Sequence, residues 1–205
     1  MIMTADLSPL DTRLTERALD VAIRLFARDG TRDVRMSDIA HEADVDPVDL
    51  RRAFPTKLDL IHAIIVRSTR QLLERQMTVS DEEKAPVERL SLFIRTHIEF
   101  SSEHRTEEEL RRSVLPTLRA INPSRHREIS DLLRGYREHV RGLIAAGRDA
   151  GVLAPSRPAV AAASVLETLD GILNWYDPSG GLSVQELGNV YADMIIHHLL
   201  GAPPE

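Results

Sequence analysis

The chain has no cysteine in its 205 residues. That excludes disulfides, thiolate metal sites and a cysteine nucleophile. No apolar run approaches the roughly 18 residues needed to span a bilayer, and residues 1–10 lack the charged-then-apolar pattern of a secretory signal; a cytoplasmic protein is expected, with no membrane partner. Period-two alternation is also missing, so strands are not expected. None of the eight histidines falls in an H-E-x-x-H pattern. His197 and His198 are adjacent and point about 100° apart on a helix, a poor pair for one metal. There is no G-x-S-x-G elbow and no phosphate-cradling glycine loop. Glu107-Glu108-Glu109 reads as a solvated first turn beside a helix N-terminus. Neither catalysis nor a metal or other cofactor is expected.

What is present is ordinary for a globular chain: 42% hydrophobic and 28% charged residues, enough to build a core without staples. The net charge is −6. Residues 1–60 carry nine basic and twelve acidic side chains, a local balance of −3. Bulk charge therefore does not announce nucleic acid, and any phosphate binding must come from the placement of a few arginines.

The apolar spacing is helical throughout. Ser8-Pro9 suits a helix start. Leu14, Ala18, Val21, Ala22, Leu25 and Phe26 then form one buried stripe, which Gly30 ends. Two short helices are expected at 36–43 and 47–53, separated by a tight turn at Asp44-Val45. Asp46 caps the second of them and Pro47 opens it. Pro55 breaks it, and Thr56 can cap a fourth helix. Longer helices are expected near 57–77, 83–104, 107–120, 124–151, 157–176 and 184–200. Thr106 with Glu109 has the spacing of a capping box, Asn122-Pro123-Ser124 and Pro155-Ser156 are breaks, and Ser183 caps the last helix.

Two short helices joined by a three- to four-residue turn have the spacing of a helix-turn-helix, whose second helix enters the major groove. The residues that carry this pattern are Leu25 to Gly30, Ser37-Asp38-Ile39-Ala40, Ala43-Asp44-Val45, Leu50, Phe54 and Lys57. Over residues 12–65 the chain resembles the tetracycline-repressor (TetR) family. The resemblance implies an all-α fold of about nine helices. A three-helix DNA-binding domain at 1–56 would precede a helical-bundle ligand-binding and dimerisation domain at 57–205. It also implies double-stranded operator DNA as partner. The candidate DNA contacts are Arg35, Ser37, Asp46, Pro47, Val48, Arg51, Arg52 and Lys57. The chain departs from the family where glycine, serine and a second glycine are often found, having Asp44, Asp46 and Val48 instead. A tyrosine and a histidine that often grip phosphates are replaced by Arg51 and Ala53, and a threonine before the first short helix by Val34. Arg51 is suited to a phosphate or a guanine edge. The acidic front and the two missing phosphate contacts leave an alternative: a ligand-binding or interaction protein of the same fold with weakened DNA binding.

A second resemblance lies at Asn174-Trp175-Tyr176-Asp177-Pro178-Ser179-Gly180-Gly181-Leu182-Ser183, followed by Tyr191-Ala192-Asp193. It is similar to a TetR subgroup that senses acyl-CoA thioesters in fatty-acid and steroid breakdown. The resemblance implies a repressor released from its operator by a small apolar or acyl-CoA-type effector. Candidate effector contacts are Phe93, His97, Phe100, Leu115, Leu118, Tyr136 and Trp175. Wide apolar faces on the last two helices suit a four-helix contact across a twofold axis. The expected homodimer interface uses Leu166, Leu169, Leu173, Leu187, Tyr191, Met194 and Ile195.

Overall fold

In a computed structural model, residues 9–79 and 83–203 are described. All their regular structure is helical: α1 (Pro9–Asp29), α2 (Met36–Glu42), α3 (Pro47–Ala53), α4 (Lys57–Val79), α5 (Pro86–Glu103), α6 (Arg105–Ile121), α7 (Pro123–Asp149), α8 (Pro158–Gly171) and α9 (Val184–Asp193). A 3₁₀ turn (Ile172–Asn174) follows α8, and a π-helical turn (Met194–Leu199) follows α9. The expected cap at Ser8 lies outside the described residues.

The chain divides into two compact units. The first runs as far as Arg67 and includes Thr106–Thr117; the second holds Ser68–Arg105 and the chain from Leu118 onward.

In the first unit, the α1 stripe of Ala18, Val21, Ala22, Leu25 and Phe26 is buried, as its spacing predicts. Gly30 ends the helix at φ +81°, and its N–H donates to the Phe26 carbonyl at 3.0 Å. Ile39, Ala40 and Ala43 of the α2 segment and Leu50 and Phe54 of the α3 segment complete the core. At the head of α4, the Asp59 N–H donates to Thr56 Oγ1 at 3.2 Å and the Thr56 N–H to Asp59 Oδ2 at 2.9 Å. Thr56 thus caps α4 reciprocally, as a capping box does.

In the second unit, α5 packs against α7 and α9, and α7 against α8. The core includes Phe93, Ile94, Val140, Ile144, Val165, Leu169 and Ile195. α9 approaches α5 closely at Gly188, where an added Cβ would sit 3.4 Å from Arg95 Cγ. Ser183 caps α9: its Oγ accepts from the Glu186 N–H at 3.2 Å, and Glu186 Oε2 accepts from the Ser183 N–H at 2.9 Å.

Two expected boundaries are corrected. α6 begins at Arg105 without a side-chain cap, so Thr106 lies inside its first turn. The His104 ring stacks on Phe100 at 3.9 Å and its Nδ1 reaches the Phe100 carbonyl at 3.0 Å, carrying the chain from α5 into α6 with no capping residue between. The penultimate helix stops at Gly171 instead of near 176. There Arg105 donates to the carbonyls of Leu173 at 3.1 Å and Tyr176 at 3.0 Å, satisfying acceptors that a helix end leaves open.

The end of α7 rests on Gly147. The Leu153 N–H returns to the Gly147 carbonyl at 3.1 Å, and Leu153 folds over the missing side chain. A Cβ on Gly147 would lie 2.4 Å from Leu153 Cδ1 and 2.7 Å from its Cγ. Gly147→Ala is therefore expected to destabilise the chain by about 1–3 kcal/mol through overpacking, despite the better helix propensity of alanine. Urea unfolding checks this; a variant as stable as the parent would show that Leu153 can move aside freely.

Candidate functional site

The first unit builds an elbow. α2 and α3 have seven residues each and are joined by residues 43–46. The turn passes through Asp44, which adopts φ +50°. That left-handed region suits glycine best, but aspartate tolerates it, so the family's glycine is replaced without loss of the turn. Asp46 then caps α3, its Oδ1 accepting from the Val48 N–H at 2.7 Å, and Pro47 opens the helix. At the start of α2, the Arg35 N–H donates to Asp38 Oδ2 at 2.8 Å.

This geometry sets what α3 presents. Leu50 turns inward and is 3% exposed. Pro47, Val48, Arg51 and Arg52 are exposed, with Val48 65% accessible. An outward valine at the front of such a helix can meet a thymine methyl, and an arginine can donate to guanine or phosphate. Arg52 is held by Asp49 at 2.8 Å. Arg51 makes no hydrogen bond or ion pair among the described residues, which leaves its fork of donors open. Arg35 and Ser37 lie exposed at the start of α2, where the Ser37 hydroxyl reaches Asp38 Oδ1 at 3.4 Å.

Lys57 requires a correction. Its ammonium donates to the carbonyls of Thr31 at 2.6 Å, Val34 at 2.8 Å and Arg32 at 3.4 Å. All three of its donors are occupied by the loop before α2. It holds the elbow in place from within and is not an open phosphate contact. Other cations are also committed: Arg17 donates to the Asp44 carbonyl and stands 3.7 Å from its carboxylate, and Arg28 pairs with Asp29 at 2.9 Å.

In the second unit, Phe93, His97, Phe100, Leu118 and Tyr136 are all buried. His97 Nδ1 and Tyr136 Oη are 2.7 Å apart. Gln76 Nε2 donates to the Phe93 carbonyl at 3.1 Å and to Tyr136 Oη at 3.3 Å. The Tyr136 hydroxyl has a second lone pair and one proton, so it can meet His97 Nδ1 in either imidazole tautomer. Burial pushes His139 below the ordinary imidazole range, and the charge of Arg89 adds to the effect. Sequence reasoning missed Gln76, Arg89 and His139. The available signal was a polar residue interrupting an apolar stripe, as Gln76 does after Leu72 and Leu73.

Two of the expected effector contacts are not part of this cluster. Leu115 belongs to the first unit. Trp175 is 56% exposed, stacking on Tyr191 at a ring separation of 6.3 Å, because the 3₁₀ turn carries it out of the helix. The expected interface is corrected likewise. Leu169, Leu187 and Ile195 are at most 1% exposed and pack inside their own unit, and Leu173 is 6% exposed. Leu166 and Tyr191 are half-buried against the same core. From α8 onward, the large apolar side chains that face outward among the described residues are Val160, Trp175, Val190, Met194 and Leu199. Val190 and Met194 are one turn apart, and the π turn places Leu199 on the same side five residues later.

An all-helical chain with a capped helix-turn-helix and a second helical unit belongs to the class of helix-turn-helix DNA-binding regulators. Residues 18–64 match the description "Bacterial regulatory proteins, tetR family", and residues 83–199 match "Tetracyclin repressor-like, C-terminal domain". The second match alone spans more than half the chain, and the chain belongs to the TetR family of ligand-responsive, DNA-binding transcriptional regulators, which are not enzymes. Among curated proteins none matches it. Among solved structures, a tetR-family regulatory protein from Rhodococcus RHA1 is 19% identical at a TM-score of 0.82, covering 94% of this chain and 99% of that one. The ketosteroid regulator KstR2 of Mycobacterium tuberculosis is 21% identical at a TM-score of 0.76, covering 93% and 95%. AibR in complex with isovaleryl coenzyme A and operator DNA is 21% identical at a TM-score of 0.75, covering 89% and 98%. At these identities the likeness is one of fold.

Lys57→Met is expected to lower the unfolding free energy by about 1.5–3 kcal/mol, the range for hydrogen bonds to a charged group. The salt dependence of DNA binding by the folded variant should not change. A shallower salt slope with unchanged stability would return Lys57 to the phosphate contacts.

Proposed function

We propose that the chain is a homodimeric repressor that binds double-stranded operator DNA through α3 and leaves it when a small effector occupies the second unit. The observation that carries this reading is the elbow itself: a capped α3 that buries Leu50 while presenting Val48, Arg51 and Arg52 outward. Residues 1–56 read the DNA in this account, and residues 57–205 sense the effector and pair the subunits. Arg51 supplies the leading cationic contact, with Val48 reading shape and methyl groups. Arg35 and Ser37 at the start of α2, and Asp46 and Pro47 at the head of α3, line the approach.

A dimer is needed because two recognition helices must meet two half-sites about one helical turn apart. The outward stripe of Val190, Met194 and Leu199 supports a second copy of the chain as its occupant. An effector acts by favouring a subunit arrangement whose two α3 helices no longer match that spacing. An acyl-CoA thioester is the effector class supported by the 174–183 resemblance and by the isovaleryl coenzyme A bound to AibR.

Arg51→Ala is expected to abolish specific binding to DNA from upstream of the gene, measured by gel shift. Unchanged affinity would sink the assignment of Arg51. The local charge balance of −3 over residues 1–60 also predicts a shallow salt slope; no specific shift even at low salt would favour a fold that has lost its DNA function. Val190→Glu together with Met194→Glu is expected to yield monomers in sedimentation, with weakened operator binding. A dimer that persists would move the interface elsewhere.

A further inference from the structure

Arg89, Phe93 and His97 follow at four-residue intervals and share one face of α5. Tyr136 and His139 of α7 stand across from it. The Phe93 ring centroid is 5.4 Å from that of Tyr136 and 5.9 Å from that of His139. Phe93 is 2% exposed, whereas Arg89 and His139 are half-buried. The pair therefore lies at the rim of the core, within reach of solvent, with an aromatic wall behind it.

Arg89 has no carboxylate partner among the described residues. Its neighbour Glu88 is taken by Lys84 at 2.7 Å. Its Nε is fully buried and finds no hydrogen-bond acceptor. An arginine is permanently charged, and a buried donor left unmade is costly. The positive charge of Arg89 reaches His139 and, with burial, disfavours a second cation there. A neutral imidazole keeps one N–H to donate. The corner thus combines a fork of charged donors, a neutral donor and an apolar ring, with no acid to complete it.

We propose that Arg89 and His139, against the Phe93 ring, form the head-group site for a small organic anion: a carboxylate carried on an apolar body. The carboxylate accepts from the Arg89 guanidinium, in the charge-assisted geometry that suits arginine, and from the His139 N–H. The apolar body points toward Phe93 and reaches its buried ring as the half-buried Arg89 and His139 side chains move aside. The same rings would suit a quaternary ammonium, but the charge of Arg89 opposes one, and in a coenzyme A thioester the acyl end is neutral, its negative oxygens lying on the distant phosphates. This inference rests on the reading that the second unit senses a small molecule.

The test is calorimetry on the full-length protein without DNA. The probes are short-, medium- and long-chain monocarboxylates, the matching primary amides and CoA thioesters, and choline. At least one carboxylate is expected to bind, at least about tenfold more tightly than its amide. Arg89→Gln should erase that preference, and Arg89→Lys should retain part of it. A panel in which no carboxylate binds, an amide that binds equally well, or an Arg89→Gln variant with the preference intact would each overturn the site. If Arg89→Gln does not fold, the carboxylate-to-amide ratio of the parent decides. Release from DNA is measured separately. A carboxylate that binds through Arg89 without releasing DNA leaves the site standing and removes the effector-controlled reading. A thioester or choline that releases DNA independently of Arg89 does the reverse.

Discussion

Helices of seven residues do not hold themselves in water, and this constraint governs the DNA-reading half of the molecule. α2 and α3 exist because Ile39, Ala40, Ala43, Leu50 and Phe54 are buried where α1, α2 and α3 pack on one another. Their mutual angle depends on two further devices. Asp44 takes a left-handed backbone between them, and Lys57 ties three carbonyls of the preceding loop to the head of α4. A lysine used in this way is a structural cation. It converts a loop that would otherwise fray into a fixed support, so α3 is presented at one angle and its outward side chains have defined positions.

The second unit solves a different problem. Its long helices have ample apolar surface, so packing alone fixes them, and polar groups inside that packing need partners. Gln76, His97 and Tyr136 satisfy one another around the Phe93 carbonyl. Arg105 does the same for the carbonyls that end α8. Arg89 differs from both, since the described chain gives its buried Nε nothing to donate to. Ser68 Oγ is likewise buried without an acceptor or donor opposite it, but Arg89 alone of the two carries a permanent charge, and on the proposed reading that is where an outside acceptor fits.

The caps and stripes were legible in the sequence because they depend on local spacing: Gly30, Asp46 with Pro47, Thr56 and Ser183 act within a few residues of their own positions. Side-chain direction was not legible where it depends on distant backbone. Lys57 stands at a position that the pattern assigns to phosphate, but carbonyls more than twenty residues earlier in the chain accept its donors. Leu169, Leu187 and Ile195 carry the apolar spacing of an interface and are buried within one chain, whereas Val190, Met194 and Leu199 face out. Both sets are apolar at helical intervals. Only the packing of α9 on α5, close at Gly188, and the extra residue of the π turn decide which set is inside. Trp175 left the expected core for a similar reason, because no local signal foretells a helix tightening to 3₁₀ at Ile172.

The acidic DNA-reading unit becomes intelligible from its cations. Lys57 is internal, Arg52 is paired with Asp49, Arg17 leans on Asp44 and Arg28 on Asp29. The cations without an ion pair among the described residues, Arg13, Arg24, Arg32, Arg35 and Arg51, stand in a segment whose net charge over residues 1–60 is −3. Non-specific binding is almost wholly electrostatic, so such a surface holds weakly to arbitrary DNA. On the proposed reading, affinity for the right site then comes from contacts that depend on sequence: Arg51 on a guanine edge, Val48 on a thymine methyl, and the fit of two α3 helices to two half-sites. What a regulator needs is the ratio between its own site and the many competitors in a genome. Lowering the general attraction raises that ratio even as it lowers the total. On that reading the aspartates at the front of α3 sharpen discrimination, while Asp46 caps the helix that presents Val48 and Arg51.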